Sequence, residues 1–191
     1  MLFRSDTKHY EELFKKISNP DERFFESLTM PDKKESVADL LDLETLVNIK
    51  LNNEKLLRTH IDSDIEELKI CYNNKAYKAM VIMAGAILEA FLIDWKSEID
   101  KKNYFKTNLK ILKEDGNEKR ADLVDYIKLL YDEYGEKWKN EKEKADMIRE
   151  KRNLVHVKLC LNKKEQITSD LCLEIIDNLK EIVESREKMT T

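Results

Sequence analysis

The chain has 191 residues, 39% of them charged and 41% apolar, with a formal net charge of −4. It contains three glycines and two prolines, and no proline follows Pro31. This composition is typical of an all-α protein. The negative net charge excludes the class of nucleic-acid-binding proteins that are basic over their whole surface. The length suits one domain, or one domain with an extension, whose core needs no disulfide or metal.

The first 60 residues contain short helical patterns of apolar positions that are interrupted at Pro20 and Pro31. We therefore predict that residues 1–60 form an N-terminal helical extension and that residues 61–191 form the main helical domain. Ser63-Asp64-Ile65-Glu66 has the spacing of a capping box, which predicts that the first helix of that domain begins there.

The cysteines and the apolar runs indicate where the protein resides. Cys71, Cys160 and Cys172 are odd in number and none forms a CxxC pair, so free thiols in a reducing compartment are expected. The first six residues reach a charge before any apolar core, which argues against a signal peptide. The longest apolar run, residues 79–93, has 15 residues, whereas a membrane span needs roughly 20. We expect a cytoplasmic protein with no membrane association.

The most apolar helix is predicted over residues 77–98, and its run of apolar residues covers every side, as in a central buried helix. Gly85 in its interior costs about 1 kcal/mol relative to alanine, so we expect another helix to pass close to it. Glu89 is the only charged residue in the apolar run. A buried carboxylate needs a cationic or hydrogen-bonding partner, and Arg149 or Arg152 is the expected one.

Between residues 100 and 134 the pattern changes from charged to amphipathic. Residues 100–119 are rich in charge and contain Gly116, which indicates a linker with some helix. Residues 121–134 follow as a helix that Gly135 ends. The predicted inward face of that helix consists of Leu123, Val124, Ile127, Leu130 and Tyr131.

Two further helices complete the predicted bundle. The first covers residues 141–159, and the last begins with Thr168 or Ser169 as its cap and Asp170 in its first turn. The sustained helical periodicity predicts an all-α bundle of four to five core helices, with the N-terminal extension and with no sheet.

A polar stripe runs along the helix predicted over residues 141–159. Arg149, Arg152, Asn153 and His156 are spaced i, i+3, i+4 and i+7, so their side chains share one face. Apolar residues border that face on both sides, as they would in a crevice or an interface. Two guanidiniums, an amide and an imidazole that converge form a site for an anion such as phosphate.

The same stripe has a purely structural interpretation, in which buried ion pairs and caps hold the helices together. Residues 137–164 contain ten Lys and Arg against four Asp and Glu, a local charge of +6. Such an excess is common on a solvated helix face, and it would favour RNA if the face lines a cleft.

No sequence motif of a cofactor-dependent enzyme is present. The chain has no GxGxxG, no GxxxxGK[ST], no HExxH and no zinc-spaced set of cysteines and histidines, so we expect no metal and no other cofactor. His9 and His60 fall in the extension, where surface or packing roles are expected. His156 is therefore the residue on which an active site would be built.

Two segments carry a further signal. Residues 72–92 contain the step Gly85-Ala86-Ile87-Leu88-Glu89, and residues 148–156 contain arginine, asparagine and histidine in close succession. The first segment resembles the first helical hairpin of the HEPN domain superfamily, whose helical domains are common in toxin–antitoxin, abortive-infection and CRISPR-associated proteins. The second resembles the motif of that family, an arginine, four to six residues and a histidine. The resemblance covers residues 60–188.

The spacing of the second segment leaves two candidate arginines. Arg149 leaves six residues before His156, which fits the widest spacing of the family's motif. Arg152 is followed by Asn153, and the family often has a polar residue after its arginine, but Arg152 leaves only three residues before the histidine. Which arginine takes the family's role stays open at this point.

The resemblance implies a metal-independent endoribonuclease that acts through 2′-OH attack at a site formed between two protomers. It implies an RNA substrate, a homodimer, and an antitoxin or another defence-system protein as a partner, with the chain as effector of a prokaryotic defence or toxin–antitoxin system. The alternative is a non-catalytic HEPN module that serves dimerisation or assembly in a defence complex. A third interpretation is a plain helical regulator.

Overall fold

The computed structural model describes residues 41, 43–154 and 166–190. The chain divides into two compact units, Met1–Ser36 and Val37–Thr191, and all described residues belong to the second. His156, Cys160 and the segments predicted for residues 1–40 lie outside the described residues, so their predicted roles stay predictions.

The described part of the chain is helical with one small hairpin, which confirms the all-α fold class. In chain order it contains helices α1 (Glu44–Val47), α2 (Glu54–Asn73), α3 (Tyr77–Ile99) and α4 (Tyr104–Thr107), strands β1 (Lys110–Leu112) and β2 (Glu118–Arg120), and helices α5 (Leu123–Tyr134), α6 (Lys139–Asn153) and α7 (Ser169–Thr190). A 3₁₀ turn, Gly135–Trp138, joins α5 to α6. Within the described residues, no helix has both the length and the apolar character to cross a membrane.

Helix α3 is the centre of the bundle, as its apolar sequence predicted. It packs against α2, α5, α6 and α7, and Leu88, Phe91 and Trp95 on it are fully buried. Full burial of each such side chain contributes about 1.5–3 kcal/mol. Side chains on different faces of α3 therefore reach four different neighbouring helices.

Helix α2 begins earlier than predicted. Its first residue is Glu54, and Ser63 lies in the helix interior, so the prediction of a helix start at Ser63 is wrong. The buried residues Leu57, Ile61 and Ile65 continue one helical stripe across this position, and their packing outweighs a local capping pattern. The predicted end of the extension, residue 60, falls inside this helix.

A two-stranded hairpin replaces part of the predicted linker. Strands β1 and β2 pair antiparallel, with Lys110 opposite Arg120 and Leu112 opposite Glu118, so the prediction of no sheet is wrong here. Gly116 has a φ of +81°, which a glycine adopts without strain in a tight turn. The strands have three residues each, too few to produce a readable alternation of polar and apolar positions.

Side-chain caps define the starts of the last helices. Asp122 caps α5 in a capping box with Asp125, and the Leu171 amide donates a hydrogen bond to Thr168 Oγ1 at the start of α7 (3.3 Å). Thr168 is one of the two predicted caps of that helix, and Gly135 ends α5 as predicted. The Asp122 cap fixes where α5 begins beside α3 and α6, and the Thr168 cap does the same for the start of α7.

Asp94 on α3 is a fully buried carboxylate that binds two other parts of the chain. It accepts hydrogen bonds from the amides of Asn52 (2.7 Å) and Asn53 (2.9 Å) and from Asn53 Nδ2 (2.8 Å). Arg186 Nη1 on α7 donates a fourth (3.0 Å). This one side chain therefore ties α3 to α7 and to the turn that precedes α2.

An aromatic cluster anchors the start of α6. Trp138 is fully buried, and its ring meets that of Trp95 edge-on at a centroid distance of 5.9 Å. Trp95 Nε1 donates a hydrogen bond to the Tyr134 hydroxyl (3.1 Å). Because Trp138 directly precedes Lys139, the cluster holds the N-terminal end of α6 against α3.

Candidate anion-binding site

Three of the four residues of the predicted polar stripe are described, and they lie together at the end of α6. Arg149, Arg152 and Asn153 are all half-buried. The helix ends at Asn153, so the prediction that it continues to residue 159 is wrong. His156, the fourth, lies outside the described residues. The structure thus brings the two guanidiniums and the amide together as the helical spacing predicted.

These residues line a cavity of about 500 Å³ between α3, the start of α5 and the end of α6. The sequence predicted that Glu89 and the three stripe residues belong to the site. It did not predict the contribution of Ile82 on α3 or of residues 122–124 at the start of α5. The full lining consists of Ile82, Glu89, Asp122, Leu123, Val124, Arg149, Arg152 and Asn153.

Arg152 and Glu89 form an ion pair that crosses from α6 to α3. Arg152 Nη1 donates a hydrogen bond to Glu89 Oε2 at 2.9 Å, which is the pairing predicted from the lone charge in the apolar run. Their side chains are 35% and 31% exposed. The carboxylate is therefore not buried as expected, because it faces the cavity rather than the core.

Gly85 makes room for the stem of Arg152. A Cβ atom at position 85 would lie 2.5 Å from Arg152 Cδ, 3.1 Å from Cγ and 3.3 Å from Cβ. The predicted close approach at Gly85 is confirmed, and the approaching group is a side chain of α6. Gly85 and Glu89 are one helical turn apart on the same face of α3, so the glycine receives the arginine's stem and the glutamate binds its head.

Arg149 has partners on its own helix. Its Nε donates a hydrogen bond to Asp146 Oδ1 (3.2 Å), and its Nη2 lies 3.8 Å from Glu150 Oε1. Its side chain is 26% exposed. A pair between residues one turn apart on the same helix contributes only about 0.3–0.5 kcal/mol, so Arg149 can change partners at little cost.

The two carboxylates of the lining are both compensated. Glu89 is paired with Arg152, and Asp122 accepts a hydrogen bond from the Asp125 amide and pairs with Lys119 Nζ (3.2 Å). Two arginines and two carboxylates line the cavity. The charge that the cavity presents to a ligand therefore depends on which of these ion pairs stay formed when the ligand enters.

Two apolar side chains lie at the opening of the cavity. Ile82 is 41% and Val124 is 42% exposed, so the prediction that Val124 points inward is wrong. The buried residues of α5 are Leu123, Tyr126, Ile127 and Leu130, and Val124 lies one residue outside that stripe. Val124 does not fit the helical spacing of the buried residues, and this mismatch in the sequence could have predicted that its side chain is exposed.

Tyr126 is buried on α5, within electrostatic range of the cavity-lining Glu89, and its hydroxyl is not a base near neutral pH. Burial raises the pKa of its hydroxyl, and the nearby Glu89 charge acts in the same direction while Arg120 opposes it. The hydroxyl therefore stays protonated in the neutral range, and a base at this site must be another group.

We expect Glu89→Ala to lower the free energy of unfolding by about 1 kcal/mol, between the value for an exposed ion pair and that for a buried one. The reason is that the pair is about one-third exposed. Urea denaturation measures the change, and Glu143→Ala on the exposed face of α6 is the matched control, with no expected loss. Equal stability of the two variants would show that the pair does not hold α6 to α3.

The chemical capacity of the cavity follows from its donors. Guanidinium and amide groups bind phosphate oxygens through charge-assisted hydrogen bonds, and the arginines and the asparagine come from one helix face whose rotation α3 fixes. The described residues contain no group of three or more His, Cys, Asp or Glu that could hold a metal ion. Comparison of the chain with protein-family models, with curated proteins and with solved structures gave no match.

Proposed function

We propose that the chain is a metal-independent endoribonuclease of the HEPN type and the cytoplasmic effector of a prokaryotic defence or toxin–antitoxin system. One observation carries the proposal: Arg149, Arg152 and Asn153 line one cavity at the end of the helix whose next positions lead to His156. The Gly85 and Glu89 step supports it, because the residues of the first resembling segment contact an arginine of the second.

The chemistry of RNA cleavage fits these residue types. RNA carries its nucleophile in the 2′-OH, so a protein site must move protons and stabilise charge on the phosphate. A histidine with a pKa near neutrality can take or return a proton, and this is the role we assign to His156. An arginine can stabilise the charge that develops on the phosphate oxygens.

The proposal includes a homodimer whose two cavities face each other. A single chain offers one histidine near the stripe, while removal and return of a proton require two groups, and a two-fold axis supplies the second imidazole from the other copy. The exposed side chains of Ile82 and Val124 beside the cavity are of the kind that such an interface buries in its core. An antitoxin or another defence-system protein would be a further partner.

The second candidate is a non-catalytic HEPN module that serves dimerisation or assembly. The observation that favours it is the pairing of both arginines with carboxylates, Arg152 with Glu89 and Arg149 with Asp146. A satisfied network of this kind holds helices together without any ligand.

We expect the purified wild-type protein to cleave RNA with EDTA present and to leave products that end in a cyclic phosphate. The rate should fall on both sides of neutral pH, because one histidine must be neutral and the other protonated. His156→Ala should abolish cleavage and retain the dimer and its melting temperature. His60→Ala, which removes an exposed histidine on α2, is the matched control and should cleave like wild type.

Two results would contradict the catalytic proposal. The first is a stable wild-type dimer that leaves every tested RNA intact, which would favour the assembly module. The second is a His156→Ala protein that loses its fold together with its activity, which would give His156 a structural role.

A further inference from the structure

We infer that the two arginines of the cavity have different tasks: Arg152 is a positioning residue, and Arg149 is the guanidinium that binds the phosphate. The inference rests on the proposed function, because it assigns roles within the same site. It selects between the two arginines that the sequence spacing left open.

Arg152 is held at both ends. Its stem fills the space above Gly85, where even a methyl group would lie 2.5 Å from Cδ, and its guanidinium binds Glu89 on the next turn of α3. A move of this guanidinium toward a phosphate would leave the Glu89 carboxylate unpaired and facing the incoming anion. The carboxylate and the phosphate would then be two like charges in one cavity. Arg152 therefore favours phosphate binding most when it remains paired with Glu89.

Among residues 41, 43–154 and 166–190, the ion-pair partners of Arg149 lie on its own helix. Its partners, Asp146 and Glu150, lie within one turn of α6, and ion pairs between neighbours on one helix are weak. Asp146 also pairs with Lys142 (2.7 Å), so it keeps a cationic partner when Arg149 leaves. When Arg149 turns to a phosphate, it gives up no ion pair between two of the described helices. It is therefore the guanidinium that can leave its carboxylate and take a stronger, bidentate partner.

The bond between Arg152 and Glu89 also fixes the rotation of α6. Arg149 precedes Arg152 by one turn and Asn153 follows it directly, so the angle at which Arg152 crosses α3 decides whether the other two face the cavity. The positioning role thus acts through Arg149 and Asn153, and a neutral pair of the same length should fulfil it.

The test measures binding of a fluorescein-labelled 2′-O-methyl oligouridylate, which lacks the 2′-OH nucleophile, over a range of salt concentrations. Arg149→Gln should weaken binding about tenfold or more and reduce the slope of log K against log salt by about 0.7, the value for one phosphate contact on a single strand. Lys55→Gln on α2 removes one charge outside the cavity and should leave the slope unchanged.

Arg152→Gln should also weaken binding, because it leaves Glu89 unpaired, but the double variant Glu89→Gln/Arg152→Gln should recover it. The double variant has the same net charge as wild type, and its two amides can hydrogen-bond across the helices. Its salt slope should match that of wild type. The slope of log K against log salt reports the number of phosphate contacts. If both arginines were merely structural, neither substitution would change this slope, and the two variants would not differ in it.

The inference is overturned if Arg152→Gln reduces the slope and the double variant does not recover binding, or if Arg149→Gln binds like wild type. Failure of the proposed function looks different: the wild-type protein then binds no oligouridylate even at low salt. In that case the phosphate-binding role of Arg149 is refuted as well. The role of Arg152 is then decided by the melting temperatures of Arg149→Gln, Arg152→Gln and the double variant. Recovery of the melting temperature in the double variant supports positioning, and its absence refutes it.

Discussion

Asp94→Ala should lower the free energy of unfolding by about 3–5 kcal/mol, the range for loss of one partner of a buried ion pair. Asp94 is fully buried and accepts four hydrogen bonds, from the Asn52 and Asn53 amides, from Asn53 Nδ2 and from Arg186. Its removal leaves the turn before α2 without acceptors and reduces the compensation of a buried guanidinium. Urea denaturation followed by circular dichroism measures the loss.

Glu98→Ala is the control that separates burial from charge. Glu98 binds the same guanidinium, with Arg186 Nη2 at 2.6 Å, but its side chain is 44% exposed. We expect a loss of at most about 1 kcal/mol, as for exposed pairs. Equal losses for Asp94→Ala and Glu98→Ala would show that the turn before α2 is not held by Asp94.

Gly85→Ala should destabilise the protein by about 2 kcal/mol, although alanine is the better helix former. Alanine contributes about 1 kcal/mol through helix propensity, and overpacking typically costs about 1–3 kcal/mol. We expect the upper end of that range, because the new Cβ meets three successive atoms of Arg152. The displaced guanidinium would leave Glu89, so binding of oligouridylate should fall together with stability.

The sign of this effect should reverse when the arginine stem is removed. In an Arg152→Ala background, the contacts at Cγ and Cδ disappear and the remaining Cβ contact of 3.3 Å needs only a small adjustment. Gly85→Ala should then stabilise the protein by up to about 1 kcal/mol through helix propensity. If Gly85→Ala is equally destabilising in both backgrounds, the glycine serves some purpose other than room for Arg152.

The part of the site that sequence alone could predict is the part governed by one helix at a time. The spacing of Arg149, Arg152 and Asn153 placed them on one face, and the lone charge of Glu89 in an apolar run required a cationic partner. Gly85 in the same run indicated a close approach. Each inference needs only helical periodicity and the cost of an unpaired buried charge. The described structure has all three contacts, although Glu89 is about one-third exposed and not buried.

The rest depends on contacts between elements that are distant in sequence. Asp122 and Val124 reach the cavity because α5 starts beside α6, and no local pattern specifies that. Asp94 and Arg186 are 92 positions apart, although a charge directly after the apolar run was a signal comparable to Glu89. The hairpin around Gly116 was missed because three-residue strands carry too few positions to show an alternation.

Helix α6 is held near both ends, by the Trp138 cluster at its start and by the contact of Arg152 with Gly85 and Glu89 at its end. Trp138 and Arg152 are 14 positions apart in the sequence, and at 1.5 Å of rise per residue this corresponds to about 21 Å. If only the Trp138 end were fixed, a tilt of about 5° would displace the other end by about 2 Å, whereas productive sites tolerate about 0.5 Å. Together with the buried side chain of Ile148, the contact of Arg152 with Gly85 and Glu89 limits that tilt at the end where Arg149 and Asn153 lie.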